Sequence, residues 1–390
     1  MKILHINGTA YGGAANYARD LHESLLNQNI DSVLYLPKKR NIPKLIYPNS
    51  FFFKIHSMYK IFLNKIINKV ILRSNQTVTT ALFNSYEIKK IIKKENPDVI
   101  NLHWVGNEFL SMNEIIRISK PIVWTLHDMW VFLPVEHYSD QKSKKITKFF
   151  DDFFLRKKRT LNKKKINFIP TSSWMEKQLL NSHLYDSKKI RKIPCGIKFN
   201  DWYPEKKETA KNILGLDKTK KIILFSSMGG NNPRKGFNFL LEALNYIDED
   251  YQLVIAGDQF PKNIKNESIK FFDKPSDLVT RRLLYSAADV VAAPSILEAF
   301  GLVALEAAAC GTPSVVFKDT GLTEVIKHKE NGYVANNFDK KDYANGIIWV
   351  LNELKNDPLK FLKYQDSLKK RFDIEKVAKE YLNLYENIQN

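Results

Sequence analysis

DVVAAPSILEAFGLVALEAAACGTPSVVF, Asp289 to Phe317, holds two short apolar runs on either side of a small-residue segment. DVVAAPS and PSVVF predict buried strands, and GLVALEAAAC predicts a helix packed closely against its surroundings. Strand, helix and strand in so short a span form a parallel crossover unit. The same rhythm runs outward in both directions. KIILFSS, YQLVIAGD, SIKFFD and GYVA read as further strands, with GFNFLLEALNYI, LVTRRLLYSAA and GLTEVIK as helices. The first half repeats the pattern: KILHI, DSVLYL, DVINLHW, PIVWTLH and NFIPTS as strands, AANYARDLHESLLNQ and SYEIKKIIKKE as helices. This alternation predicts an α/β protein of two doubly wound, Rossmann-like domains with helices on both sheet faces. Turn formers, a proline and charges in IPCGIKFNDWYPEKK, Ile193 to Lys207, put the break near residue 195, with 1–195 as the first domain. Ligands of such sheets lie beyond the carboxyl ends of the strands, so the expected ligand site is a cleft between the domains.

A chain of 390 residues with 44% hydrophobic content can bury two cores. Cys195 and Cys310 form no CxxC pair, which argues against a disulfide framework or a zinc site. MKILHINGTAYGG reads as a strand entering a loop rather than a signal peptide, and no uncharged apolar run reaches the length of a membrane span. The expected compartment is the cytoplasm.

The net charge of +19 is unevenly shared. Residues 1–195 carry 33 Lys and Arg against 15 Asp and Glu, and residues 196–390 carry 28 against 27. Lys38 to Arg73 holds nine basic residues and no acid, and Lys142 to Lys165 holds eleven against two. Within the first, FFFKIHSMYKIFLNKIINKVIL as a helix gathers Lys54, Lys65, Lys69 and Arg73 on about a quarter turn, with most apolar residues facing elsewhere. An anionic bilayer surface is the expected partner of that charge, an ordinary solvated face the alternative. No zinc, RRM or KH signature accompanies it, so no nucleic-acid role is assigned.

Three motifs carry chemistry. NGTAYGGAANYARDL places Gly8, Gly12 and Gly13 between the first strand and first helix, where main-chain N–H groups can meet an anion. It is not GxGxxG, and the second strand ends in LPKKR without the acid that a dinucleotide ribose requires. GGNNPRKGFNFLLEAL places Arg234 and Lys235 just before a helix, as a diphosphate clamp would be. In the opening stretch, Glu298 lies in the loop and Glu306 about a turn and a half inside the helix, with Gly301 and Leu302 offering N–H groups at its start. Two carboxylates at different heights can accept hydrogen bonds from two sets of sugar hydroxyls. The small neighbours of Glu306 predict its burial.

These residues closely resemble a known family. EAFGLVALE is similar to the E-x7-E motif of retaining GT-B glycosyltransferases of family GT4, and the resemblance extends over nearly the whole chain. PRKGFNFLLEAL resembles the family's phosphate-binding element, YGGAANYARDL its glycine loop and IPCGIKFNDWYP its interdomain linker. HDMWVFLPVEHY, His127 to Tyr138, looks like the histidine-aspartate segment of exopolysaccharide and O-antigen members. The resemblance implies a GT-B fold whose final helix, about 374–390, packs back on an acceptor-side N-terminal domain, while 196–373 binds the donor. It implies that Glu298 contacts donor sugar hydroxyls, that Glu306 holds the ribose, and that Arg234 and Lys235 neutralise the diphosphate. Phe300, Gly301 and Leu302 join that donor site, with Gly301 and Leu302 binding the diphosphate through N–H groups and Gly12 and Gly13 approaching it from the other domain. His127 would face the reacting sugar, making His127 and Glu298 the implied catalytic pair.

There are departures. Gly229 and Gly230 stand where many relatives have Gly-Arg, Cys195 replaces a linker asparagine, and Gly321–Leu322 replaces a glycine pair. The implied activity is metal-independent transfer of a hexose-type sugar, with retention, from a UDP- or GDP-sugar, which is a substrate and not a cofactor. The implied acceptor is a glycan or a polyprenyl-diphosphate-linked saccharide of bacterial surface polysaccharide, met at the inner face of the cell membrane. A nucleotide-sugar epimerase of the same shape and a non-catalytic scaffold are the alternatives.

Overall fold

The computed structural model describes residues 1–69, 78–85, 87–141, 148–229, 232–258, 268–275 and 277–389. Arg73, Gly230 and Lys142 to Lys145 of the stretches above lie outside them. The chain divides into two compact units, Met1–Gly196 with Ile374–Asn390, and Ile197–Asp373.

The first unit runs β1 (Lys2–Ile6), α1 (Gly13–Asn27), β2 (Asp31–Tyr35), β3 (Leu45–Ile46), α2 (Phe51–Ile67), α3 (Glu87–Glu95), β4 (Val99–Leu102), α4 (Met112–Arg117), β5 (Ile122–Leu126), α5 (Lys148–Arg159), β6 (Ile166–Pro170) and α6 (Ser173–Asn181). The second runs α7 (Lys207–Leu214), β7 (Lys221–Ser227), α8 (Phe237–Leu244), β8 (Tyr251–Gly257), β9 (Ile269–Asp273), α9 (Leu278–Ala287), β10 (Val290–Ala293), α10 (Leu302–Ala309), β11 (Ser314–Phe317), β12 (Gly332–Ala335), α11 (Lys340–Asn356) and α12 (Gln365–Phe372). The last helix, α13 (Ile374–Gln389), returns to the first unit.

Each unit has one parallel six-stranded sheet, in the orders β3-β2-β1-β4-β5-β6 and β12-β11-β10-β7-β8-β9. Central strands such as VINL, IVWTL and SVVF are buried along their whole length, because helices cover both faces of a parallel sheet. In each order the direction of winding reverses once, between β1 and β4 and between β7 and β10. The loops after those strands diverge there and leave room for a ligand.

The helix α13 docks by its apolar period. Val377, Ala378, Tyr381, Leu384, Tyr385 and Ile388 are buried. Two of its phenols also find polar partners: the Asn101 amide donates to Tyr385 OH at 2.7 Å, and Thr125 Oγ1 bonds Tyr381 OH at 2.9 Å.

Some elements differ from the sequence expectation. GLTEVIK is not a helix but a single 3-10 turn, Gly321–Glu324. The Gly321 N–H donates to Glu298 O at 2.7 Å, which holds this segment against the loop after β10 and stops a regular helix from propagating. The short β3 completes the first sheet from LI, too brief for a periodic signal. The helix α4 rests on a capping box between Ser111 and Glu114 rather than on length.

Candidate functional site

In the second unit the expected donor residues gather where the sheet reverses. Pro233–Lys235 forms a 3-10 turn after β7, capped by the Asn232 side chain. The loop after β10 faces it, and main-chain contacts bind the two. Ile296 N donates to Arg234 O at 2.8 Å. Gly236, at φ +74°, approaches Pro294 so closely that a Cβ would stand 2.1 Å from the Pro294 carbonyl oxygen. Any larger residue would separate the loops, and its positive φ is costly for residues with a side chain.

This close approach brings the charges together. Lys235 Nζ donates to Glu298 Oε2 at 2.5 Å, and Arg234 Nη1 lies 3.7 Å from the same oxygen. Burial pushes the Glu298 carboxyl up, but Lys235 and Arg234 outweigh it and hold it below its ordinary range. Burial lowers the Lys235 ammonium, while Glu298 pulls it back up. Two cations share one carboxylate, so the cluster keeps one net positive charge with which to attract an anion. Arg234 also donates to the Leu297 carbonyl, which turns its guanidinium into the loop.

Glu306 lies on α10 and is buried as its neighbours predicted. Its partners are Arg281 and Tyr285 of α9: the Arg281 guanidinium pairs with Oε2, and Tyr285 OH donates to the same atom at 2.9 Å. Arg281 lies 5.0 Å above the Trp202 ring. Burial disfavours the Arg281 charge, but Glu306 reverses that and raises its pKa. Both bonds fall on Oε2, so Oε1 keeps its lone pairs for another donor. Sequence reasoning missed Arg281 and Tyr285, although their i, i+4 spacing places both on one face of α9.

Gly301 caps α10 at φ +104°, and a Cβ there would meet Leu322 Cδ2 at 2.5 Å. Leu302 opens the helix, whose first N–H groups have no carbonyl one turn back. Phe300 precedes Gly301 in the loop after β10. Its ring is buried against Phe372, centroids 5.7 Å apart, so only its main chain is available to a ligand.

In the first unit, Gly12 is the N-cap of α1 and Gly13 its first residue. His127 follows β5 and ends a stack of imidazoles from three adjacent strands. His5 Nδ1 lies 3.1 Å from His103 Nε2, and His103 Nδ1 lies 3.2 Å from His127 Nε2. Burial lowers His5 and His103 well below their ordinary pKa, and neighbouring histidines add to the effect. Burial takes His127 down to about 4, with Asp128 pulling weakly the other way. All three are therefore neutral at pH 7, and each carries one N–H and one lone pair. Among the described residues, His5 Nε2 is buried without a hydrogen-bond partner. Orphaned N–H groups are rarer than orphaned acceptors, so the protons run from His5 through His103 to His127. That order leaves His127 with Nε2 occupied and an N–H at Nδ1. Asp128, beside it, accepts from Trp104 Nε1 at 2.7 Å and His137 Nδ1 at 2.6 Å. His103, His127, Asp128 and His137 line one small recess. Sequence pattern alone joined only His127 and Asp128.

The histidine stack has a consequence for acid stability. A histidine whose folded pKa lies below its unfolded value of about 6.5 stabilises the fold fully above that pH, and the contribution is lost as pH falls toward the folded value. Denaturant unfolding between pH 7 and pH 5 is expected to show stability falling by up to about 1.4 kcal/mol per pH unit for each of the three. His103→Gln should flatten that slope. An unchanged slope in the variant would contradict the neutral stack.

Comparison with known proteins bears on the family and the fold. Residues 11–200 match the Glycosyltransferase Family 4 model, and residues 206–366 match Glycosyl transferases group 1. An uncharacterized glycosyltransferase of Methanocaldococcus jannaschii is 26% identical over 328 residues, 79% of this chain and 80% of that one. A D-inositol 3-phosphate glycosyltransferase of a Mycobacterium species (strain KMS) is 32% identical over 190 residues, which is 45% of this chain and 42% of that enzyme. Among solved structures, Anabaena HepE in complex with UDP and glucose superposes with a TM-score of 0.73 at 18% identity, covering 99% of this chain and 100% of that one. With the two glycosyltransferase domains following one another along two doubly wound sheets, the chain belongs to the GT4-type glycosyltransferases of GT-B fold.

Proposed function

We propose that the protein is a retaining glycosyltransferase that moves a hexose-type sugar from a UDP- or GDP-sugar to a glycan or polyprenyl-diphosphate-linked acceptor in bacterial surface polysaccharide synthesis. The observation that carries this reading is the ion cluster of Lys235, Arg234 and Glu298 at the reversal of the second sheet, in the loops that lead into α8 and α10. As the anomeric C–O bond lengthens, negative charge builds on the departing diphosphate and positive charge on the sugar. Lys235 and Arg234 are assigned to the first, and the Glu298 carboxylate to the hydroxyls of the second. A diphosphate that draws Lys235 toward itself loosens its hold on Glu298 and frees that carboxylate for the sugar. Glu306 is assigned to the ribose through Oε1. In the first unit, His127 is assigned to the reacting sugar and Gly12 and Gly13 to the diphosphate. The UDP and glucose named for HepE support a uridine donor.

Calorimetry with UDP, GDP, ADP and dTDP tests the donor site, and NMR of the anomeric carbon in donor and product tests the stereochemistry. One nucleotide is expected to bind well above the rest, and product and donor should share anomeric configuration. Inversion would overturn the mechanism. Isomerisation of the donor without acceptor would indicate an epimerase, and binding without any turnover a scaffold.

A further inference from the structure

Helix α2 is built inside out. Phe52, Ile55, Met58, Tyr59, Phe62 and Ile66 are between 42% and 81% exposed, and at about 100° per residue they lie on one stripe about a third of a turn wide. The opposite face is polar and buried, with Lys60 and Asn64 at 3% and 5% exposure. The sequence expectation of a basic face with the apolar residues turned elsewhere is thus only half met. Lys54, Lys65 and Lys69 are indeed exposed, but the apolar stripe is exposed beside them.

Specific bonds hold the helix in this orientation. Lys60 Nζ donates to Glu108 O at 2.7 Å, and Asn64 Nδ2 donates to Val78 O at 2.8 Å. The Glu108 carboxylate is itself held by the Thr80 hydroxyl and the main-chain N–H groups of Thr80, Ala81 and Leu82, at 2.5–3.2 Å. Rolling α2 to bury its aromatics would strip partners from a buried ammonium and a buried amide. The stripe therefore stays outward, and a surface of this size and composition marks a contact with something apolar.

Helix α5 adds to the same surface. Its Phe154 and Ile67 of α2 pack with Val78 and Val135 in one small cluster, and its Phe149 and Phe153 are exposed. Arg156 and Arg159, on the next turn, are exposed as well.

We propose that α2, aided by α5, lies in the interface of an anionic bilayer, its Phe, Tyr, Met and Ile side chains in the acyl boundary and its lysines on the headgroups. Charge decides for lipid over a second copy of the chain. Lys38 to Arg73 contains no acid, so two such faces brought together would set lysines against lysines, whereas anionic headgroups neutralise them. Long lysine stems reach from a buried stripe to the headgroups. No described helix is long and apolar enough to cross a membrane, and α2 spans only 17 residues.

The test uses the whole chain and vesicles of phosphatidylcholine, alone or mixed with phosphatidylglycerol, without donor or acceptor. Its result is therefore independent of the proposed catalytic function. The protein should float with the anionic vesicles and remain free of the neutral ones, and high salt should weaken its binding. Phe52→Ser and Phe62→Ser alter only exposed side chains, so an unchanged melting temperature would show that the fold is kept. Each should reduce partitioning by about 10- to 100-fold. Phe62→Trp should blue-shift on binding and be quenched by lipids brominated in the acyl chain. Protein left in solution at low salt, or flotation that ignores both serine variants, would overturn the proposal. A dimer in sedimentation equilibrium that the serine variants dissociate would overturn it in favour of self-association.

Discussion

Lys235→Met is expected to lower kcat/KM for the sugar nucleotide by about 10²- to 10³-fold, with most of the loss in kcat. The reason lies in when the charge is needed. Before reaction, Lys235 is occupied with Glu298 at 2.5 Å, and the ground state gains little more from it. As the diphosphate departs, its oxygens become a stronger acceptor than the carboxylate, so the ammonium contributes most in the transition state. Removing Lys235 also costs stability, because the half-buried Glu298 is left with Arg234 at 3.7 Å as its remaining cation. The double variant Lys235→Met with Glu298→Gln removes that stranded charge and should recover stability without recovering kcat. Steady-state kinetics and thermal unfolding of the wild type and the two variants separate the two effects. Equal losses in kcat and stability, both rescued in the double variant, would reduce the pair to a structural role.

Glu306→Ala is expected to destabilise the second unit by about 3–5 kcal/mol and to abolish measurable nucleotide binding. The first effect arises because Arg281 would lose the carboxylate that offsets its half-buried charge, keeping Tyr285 and the Trp202 ring as neighbours. Glu306→Gln reads the second with a smaller loss of stability, because its amide oxygen still accepts from Arg281 although the charge is gone. A neutral amide can still accept from Tyr285 and preserve the packing, but a ribose diol loses a charged acceptor worth about 1.5–3 kcal/mol, or about 10- to 100-fold in affinity. Calorimetry with the preferred nucleotide on wild type and Glu306→Gln reads this directly, and equal affinities would remove the ribose from Glu306.

Which parts were legible beforehand follows from how local their causes are. Eleven of the strands could be placed because a parallel strand covered on both faces is a short, continuous apolar run. The two-residue β3 could not, since two residues carry no period. Gly321 shows the limit from the other side: GLTEVIK has helical composition, but a bond to the Glu298 carbonyl fixes it as one turn.

The candidate site divides along the same line. Arg234, Lys235, Glu298 and Glu306 were legible because the first three sit in strand-to-helix turns and Glu306 in the small-residue helix that follows, where the chemistry is written within a few residues. Their partners were not. Arg281 reaches Glu306 across 25 positions, and His5 reaches His103 across 98. The sequence by itself determined two doubly wound sheets, the break between them and the loops that carry charge, because hydrophobic period and turn chemistry act over a few residues. Only the tertiary structure decided the rest: that Glu298 is held by two cations, that Glu306 answers to α9, that three histidines form one proton-ordered stack, and that α2 turns its aromatics outward. Each of these depends on which strands lie side by side and on which polar groups burial obliges to find one another, and neither is a property of any single segment.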